Sequence, residues 1–359
     1  MSLQDKITRL VRPEIQAMHA YHVPPATGMI KLDAMENPWP WPDELRAAWL
    51  DALRDLELNR YPDPAAGELQ AALRAAMGVP ATAGVMLGNG SDELIQMIVQ
   101  TVAGPGRVIL APEPTFVMYR QIATVAGLEF SGVPLAPDFA LAREAVLDAV
   151  ATLQPAVTFL AYPNNPTGNL FDAAVIRALL ETATGLVVVD EAYAPFTSAS
   201  FMAELGRHDN LLVLRTVSKL GLAGLRLGLL AGHPEWIAQI DKTRLPYNIG
   251  TLNQATGALA LAHRDVFDAQ AAQIRAARAE LAAGLHGFAA LTVYPSEANF
   301  ILFRVPAGRA GAVFTGLQQA GILIKNLDGS APALRDCLRV TVGRPEENAA
   351  FLAALGGLL

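Results

Sequence analysis

The sequence carries a single cysteine, Cys337. No internal disulfide can form, and a reducing compartment is expected. Charge is scarce: Asp, Glu, Lys and Arg make up 17% of the chain, against the ~25% of an average soluble protein. The net charge is −7, with no run of Lys or Arg. A nucleic-acid groove or a basic membrane patch is therefore not expected. Long hydrophobic runs are missing too. The longest charge-free stretch, 149–171, is broken by Pro155, Pro163 and Pro166 and holds Asn164 and Asn165, whereas a membrane span needs ~20 mostly apolar residues. The opening MSLQDKITRLVRPEIQ has both charge signs and no apolar signal-peptide core, so a cytoplasmic location is expected. The histidines, His19, His22, His208, His233, His263 and His286, show no ligand-like spacing with carboxylates or Cys337, and metal catalysis is not expected. No period of 20–50 residues repeats.

What is present is apolar bulk: 52% hydrophobic residues in 359. That suffices for two cores and excludes a disordered chain. So few charges on a folded chain also point to a further buried surface, a subunit interface. Residues 1–42 read as an irregular arm rich in Pro and Trp. Helices follow in ELRAAWLDALRDL, from Asp43, and in ELQAALRAAMG. Short apolar runs at 85–87, 108–110, 157–161, 186–189 and 211–214 then alternate with helical patterns at 92–102, 116–126, 172–181 and 201–205. That alternation predicts an α/β fold with a mostly parallel sheet flanked by helices. A long helical stretch, 254–286, leads into NFILFRV, GILIKN and CLRVTV around one helix, a smaller α+β domain. The expected division is an arm over 1–42 contributing to the small domain and dimer contacts, a large domain over 43–253 and a small domain over 254–359.

Ligands of open α/β sheets bind beyond the carboxyl ends of the strands. Four predicted strands end in polar residues: GNGSDE at 88–93, YPNNPTG at 162–168, DEAY at 190–193 and TVSK at 216–219. Taken singly, Asp190 fits a turn cap and Lys219 a surface lysine. As the ends of successive strands they should lie close together. The pair fits a simple salt bridge. It also fits pyridoxal phosphate chemistry, in which a lysine forms a Schiff base and a carboxylate keeps the pyridine nitrogen protonated. The loop 88–93 follows a strand and opens a helix, so its N–H groups would face an anion. Glu93 stands where a dinucleotide fingerprint needs a third glycine. Thr216, Ser218 and Arg226 could close the other side of a phosphate cradle. Arg226 sits in the otherwise apolar GLAGLRLG and wants an anion, whether a carboxylate or a phosphate.

The stretches YPNNPTGN, VVVDEAY and TVSKLGLAGLRLG resemble the class I/II aminotransferase family of fold-type I pyridoxal-phosphate enzymes. LDAMENP, NRYPDP, GNGSDELI, PEPTFVMY and CLRVTVGRPEEN are similar to the branch of that family acting on histidinol phosphate, and the likeness covers nearly the whole chain. The resemblance implies pyridoxal 5′-phosphate as cofactor, a small-molecule amino donor and keto acceptor, and a homodimer. It implies Lys219 as Schiff-base lysine and proton shuttle, Asp190 at the pyridinium, and Asn165 and Tyr193 at the ring oxygen. Tyr119 would stack on the ring, although the sequence by itself favours a core aromatic on a helix. The amides of Ser91 and Asp92, with Thr216, Ser218 and Arg226, would hold the phosphate. Tyr61 would reach the neighbouring subunit's cofactor. Arg339 would bind substrate carboxylate or phosphate, with Tyr21 and Asn37 as further substrate contacts. One departure stands out. Many members carry a second arginine about a dozen residues before Arg339, where ILIKNLDG has Lys325; Arg335 is the alternative cation. An aromatic-amino-acid aminotransferase or a threonine-phosphate decarboxylase would share every cofactor residue. A regulatory domain that senses the cofactor is more remote, since the arm has no room for a DNA-binding module.

Overall fold

The computed structural model describes residues 1–20 and 24–359. The arm is more regular than its prolines suggest. It holds a helix at Leu3–Leu10, opened by a reciprocal Ser2–Asp5 capping box, a short turn of helix at Pro13–Gln16, and strand β1 (Ile30–Lys31).

Seven strands build the large sheet: β2 (Gly84–Asn89), β3 (Val108–Glu113), β4 (Glu129–Pro134), β5 (Val157–Ala161), β6 (Leu186–Asp190), β7 (Leu211–Thr216) and β8 (Leu227–Gly232). Their order is β2-β8-β7-β6-β5-β3-β4. Every neighbouring pair is parallel except the two made by β8. Reversal of β8 leaves β2 running the same way as the rest, so all the polar strand ends leave by one edge. The apolar runs of β5, β6 and β7 are buried on both faces, as expected of central parallel strands. Alternate residues feed opposite layers. Val187, Val189, Leu211 and Val213 join one core, while Val188, Leu212 and Leu214 join the other. Helix Ser91–Val102 buries Leu94, Ile95, Met97, Ile98 and Val99. Helix Ala173–Thr182 is capped by Asp172, which accepts the Ala174 N–H at 2.8 Å. Two strands have no apolar signature in the sequence: β4, a half-polar edge strand, and β8, whose Gly228 and Gly232 dilute its apolar run.

The helical stretch predicted over 254–286 is two helices, Thr251–Ala262 and Arg264–His286. Ala260 and Phe267 lie in the large-domain core, and Ala271 and Ile274 begin the small-domain core. The change of core thus falls inside the second helix. The small domain has a four-stranded sheet containing β9 (Thr292–Val293), β10 (Phe300–Arg304), β12 (Lys325–Asn326) and β13 (Cys337–Thr341). Helices Ala310–Gln319 and Pro345–Gly356 pack on it, where the sequence suggests one. The arm joins this domain directly, because β1 pairs in parallel with β11 (Ile322–Leu323). No helix among the described residues is long and apolar enough to cross a membrane.

Candidate active site

One cavity lies at the carboxyl edge of the large sheet. Its lining includes Ser91, Asp92, Asn165, Asp190, Tyr193, Thr216, Ser218, Lys219 and Arg226. Asp190 is the last residue of β6 and is 4% exposed. Its carboxylate accepts the Tyr119 hydroxyl at 2.7 Å and the Ala192 N–H at 3.1 Å. Burial pushes this carboxyl up to about 6. Lys219 sits on the tight turn Ser218–Leu220 just after β7. Burial first, and the positive charge of Arg339 second, pull its amine down to about 8. Its Nζ lies 3.4 Å from the Ala34 carbonyl oxygen. Among the described residues Asp190 and Lys219 form no ion pair, so each presents its charge chemistry to the cavity and not to the other.

The anion cradle is built from glycine. Gly90 has φ +84°, and a Cβ there would come 2.6 Å from a guanidinium nitrogen of Arg226. A Cβ on Gly228 would come 2.8 Å from the backbone carbon of Gly90. Both positions therefore allow β8, the loop and Arg226 to nest against one another. The helix that follows has no side-chain cap, which leaves its first-turn N–H groups turned toward the cavity. Arg226 itself adopts φ +49°, a conformation that costs free energy and tends to persist where function requires it. It faces Asp92 at 3.4 Å, with both side chains about half exposed, a weak pair in water. Glu93 braces the loop, accepting the Asn89 N–H at 2.5 Å and the Asn248 amide at 2.8 Å.

Side walls and roof come from farther away. Asn164 anchors the YPNNPTGN turn: it accepts the Thr115 hydroxyl at 2.8 Å and donates to the Pro114 carbonyl at 3.0 Å. Its neighbour Asn165 accepts one guanidinium N–H of Arg339 at 2.5 Å, and a second Arg339 N–H reaches the Asp33 carbonyl at 3.0 Å. Arg339 is 6% exposed and lies 5.1 Å from the Phe300 ring centre. Burial pushes the Tyr193 phenol up, and the charge of Arg339 opposes that shift. The arm residue Met35 also lines the cavity. It takes φ +53°, held by Thr341, whose hydroxyl accepts the Met35 N–H at 3.0 Å, and by the Asn299 amide, which donates to its carbonyl at 2.9 Å.

A buried amine and a buried carboxylate above an anion cradle, on this sheet order, are accompanied by a match over residues 27–355 to the profile of aminotransferase class I and II. The chain belongs to the class I and II aminotransferase family. It is 55% identical over 363 residues to histidinol-phosphate aminotransferase 1 of Ralstonia nicotianae, covering 100% of this chain and 96% of the relative. It is 53% identical over 352 residues to histidinol-phosphate aminotransferase 2 of Nitrosococcus oceani, covering 98% of each. Among solved structures, histidinol-phosphate aminotransferase from Sinorhizobium meliloti in complex with pyridoxal-5′-phosphate superposes with a TM-score of 0.87 at 26% identity, covering 97% of both chains. The L-threonine-O-3-phosphate decarboxylase of Porphyromonas gingivalis shares the fold, with a TM-score of 0.77 at 22% identity over 92% of this chain and 98% of that one.

Several residues expected in the site do not line this cavity. Tyr119 is not on the cavity wall. It is fully buried, stacked on Phe159 at 4.7 Å, and spends its hydroxyl on Asp190. Phe116, edge-on to Tyr119 at 5.5 Å, lines the cavity in its stead, along with Tyr193. Phe116 and Tyr119 are three apart, so a helical pattern alone does not say which one faces the ligand. Asn37 is not on the wall either. Its amide donates to the Leu220 carbonyl at 3.0 Å and to Gln270 at 2.9 Å, fastening the arm to the lysine turn. Tyr61 is 78% exposed and stacks on Tyr247 at 4.4 Å, outside this chain's own cavity. Lys325 lies directly opposite Arg339 in the β12–β13 ladder, which puts the two cations on one face. Tyr21 lies outside the described residues.

Proposed function

We propose that the chain catalyses pyridoxal-phosphate-dependent transamination between histidinol phosphate and 2-oxoglutarate. In the biosynthetic direction imidazole acetol phosphate and glutamate would be consumed, a step of L-histidine biosynthesis. The observation that carries this reading is one cavity holding Lys219, Asp190 and the anion cradle, with Arg339 bonded to its wall residue Asn165. The names of the relatives support the substrate.

The residues present fit the cofactor. The cradle is closed to any Cβ at Gly90 and Gly228, and its uncapped N–H groups at Ser91 and Asp92 stand beside Thr216, Ser218 and Arg226, a donor set suited to phosphate. Asp190 would pair with the pyridine nitrogen, Asn165 and Tyr193 would donate to the ring oxygen, and Phe116 supplies an aromatic face. Bound there, pyridoxal phosphate supplies an aldehyde for amine exchange and an electron-withdrawing ring.

The chain's own residues do the rest. With its pKa near 8, Lys219 has an appreciable neutral fraction at physiological pH. It can act as nucleophile and then carry the proton at the substrate Cα. Asp190, held by two hydrogen bonds and itself 4% exposed, would balance positive charge at the cavity wall. Arg339 offers a planar fork that suits the α-carboxylate of glutamate or 2-oxoglutarate and equally the phosphate of histidinol phosphate. Lys325 adds positive charge beside it without a fork. Because one cavity takes donor and acceptor in turn, the kinetics should be ping-pong. We also propose a homodimer in which Tyr61 reaches the partner's site. Its support is the exposure of Leu58, Tyr61, Leu245 and Tyr247 on two segments tied together by the Arg244–Pro64 and Gln254–Asp63 hydrogen bonds. A cytoplasmic location is part of the same proposal.

Half-reactions followed by cofactor absorbance test the substrate. Histidinol phosphate and glutamate should each convert the bound cofactor, with phenylalanine and threonine phosphate slower by about 100-fold or more. If phenylalanine outpaces histidinol phosphate, or threonine phosphate releases carbon dioxide, the assignment is wrong.

A further inference from the structure

Tyr119 and Asp190 make one buried unit. Tyr119 is fully buried and Asp190 is 4% exposed. The phenol donates to Asp190 Oδ2 at 2.7 Å, and among the described residues no other side chain donates to that carboxylate. The ring is gripped from two sides, by Phe159 stacked at 4.7 Å and 10° and by Phe116 edge-on at 5.5 Å and 86°. A tyrosine so held can deliver its hydroxyl to one place, and that place is the carboxylate on the cavity wall. A phenylalanine would fill the same stack, so packing alone does not explain the oxygen.

We propose that Tyr119 is a positioning residue for Asp190: its hydroxyl keeps that carboxylate ionised and fixed at the cavity wall, while Phe116 takes the ring-facing place. The proposal rests on the reading of the cavity as a pyridoxal phosphate site. Its physical basis is the asymmetry of hydrogen bonding to a carboxylate. A donor stabilises the ionised form, and a buried anion that loses a donor takes up a proton more readily. Burial already pushes Asp190 upward, and the Tyr119 bond works in the opposite direction. The other groups that face Asp190 are Asp92 at the head of its helix, Glu191 and Tyr193 following it in the chain, and Lys219 and Arg226 across the cavity, with Arg339 beyond Tyr193. Replacing the Tyr119 hydroxyl leaves all of these in place.

The experiment measures the affinity of the full-length protein for pyridoxal phosphate as a function of pH, by fluorescence titration. In the wild type the affinity should weaken as pH falls through about 6, as Asp190 protonates. Tyr119→Phe should move that midpoint upward by about one pH unit, the shift expected of a roughly tenfold change in proton affinity. It should also weaken binding about fivefold at the wild-type midpoint, where the ionised fraction falls from one half to about one eleventh. Site-specific 3-fluorotyrosine at position 119, a stronger donor of nearly the same volume, should move the midpoint downward. Phe159→Leu disturbs the stack without touching the hydrogen bond; it should lower the melting temperature and leave the midpoint in place. An unchanged midpoint in Tyr119→Phe and in the fluorotyrosine protein overturns the proposal, as does an equal shift in Phe159→Leu. If the wild type does not bind pyridoxal phosphate at all, the cofactor reading falls and this one with it. Binding with no movement of the midpoint overturns the positioning role alone.

Discussion

The floor and the roof of the cavity are made in different ways. The floor is local. Asp190, Thr216, Ser218, Lys219 and the 88–93 loop each lie at or just past the end of a sheet strand, so the pairing that forms the sheet delivers them together. The roof is assembled across the whole chain. Arg339 from β13 bonds Asn165 and the Asp33 carbonyl, Met35 is clamped by Asn299 and Thr341, and Asn37 reaches Leu220. On the proposed function, floor residues would carry the reacting groups, on a sheet whose central strands are buried on both faces. Roof residues would recognise what enters, and they hang on contacts between the arm and two domains. A change in the floor should therefore abolish chemistry at little cost in affinity for substrate, and a change in the roof should do the reverse.

The sharpest break of that contrast is Lys219→Ala. Loss of the nucleophile and proton carrier should lower turnover by about 10³-fold or more, while the fold persists because a buried amine has been removed and not a packing side chain. Steady-state assays with histidinol phosphate and 2-oxoglutarate decide it; turnover within tenfold of wild type would remove Lys219 from the mechanism. Arg339→Lys comes next. A point charge replaces the fork, and the loss of bidentate bonding should cost about 2–3 kcal/mol. The cost should fall on KM for glutamate and for histidinol phosphate, with kcat changed less than about threefold. An equal fall in kcat with KM unchanged would move Arg339 from recognition to chemistry.

The same contrast explains what is legible in the sequence. Strands β5, β6 and β7 announce themselves as apolar runs, and each is followed at once by its polar cluster, so Asn165, Asp190 and Lys219 read as one site from the order of residues alone. Motifs separated along the chain then point to the same family. The roof has no such signature. Nothing local in LDAMENP says that Asp33 offers its carbonyl to Arg339 or that Asn37 turns away from the cavity to hold Leu220. Phe116 carries no local mark of its place, because it precedes the helix Met118–Ala126 and its partner Tyr119 looks equally suited. Strand β8 is hidden by its glycines, one of which is the space into which the anion loop fits. In each case the missing information is a contact at long range, which periodicity does not encode.

Titration gives a third test, confined to the floor. The Asp190 carboxyl is raised from 3.8 to about 6 on folding. A raised acid contributes stability that is full below its unfolded value and lost as pH rises through the folded one. Lys219 is lowered from 10.5 to about 8, so its contribution is present above the unfolded value and lost as pH falls through about 8. Between about 6 and 8 the protein without cofactor therefore carries both costs. Asp190→Asn should relieve the first, making the cofactor-free variant more stable than wild type by roughly 1–3 kcal/mol above pH 6. The gap should close toward pH 4. Melting temperatures across that range check it, and a gap that widens toward low pH would have the wrong sign.

The smallest expected effect concerns a side chain that ties the arm to the lysine turn. Asn37 donates to the Leu220 carbonyl and to Gln270, and its own oxygen accepts the Trp39 N–H at 2.9 Å. It packs so closely on the lysine turn that a Cβ on Gly221 would come 2.8 Å from its amide nitrogen. Asn37→Ala leaves the buried Leu220 carbonyl and Gln270 without this donor, at a cost of about 1–3 kcal/mol. In a chain of this length that should lower the melting temperature by only a few degrees. The arm would sit less firmly over the cavity, so KM should rise about threefold to tenfold while kcat stays near wild type, because Lys219 keeps its place at the end of β7. If instead kcat falls tenfold at unchanged KM, the arm is positioning Lys219 through the turn at Leu220, and the separation of a chemical floor from a recognising roof fails at the residue that joins them.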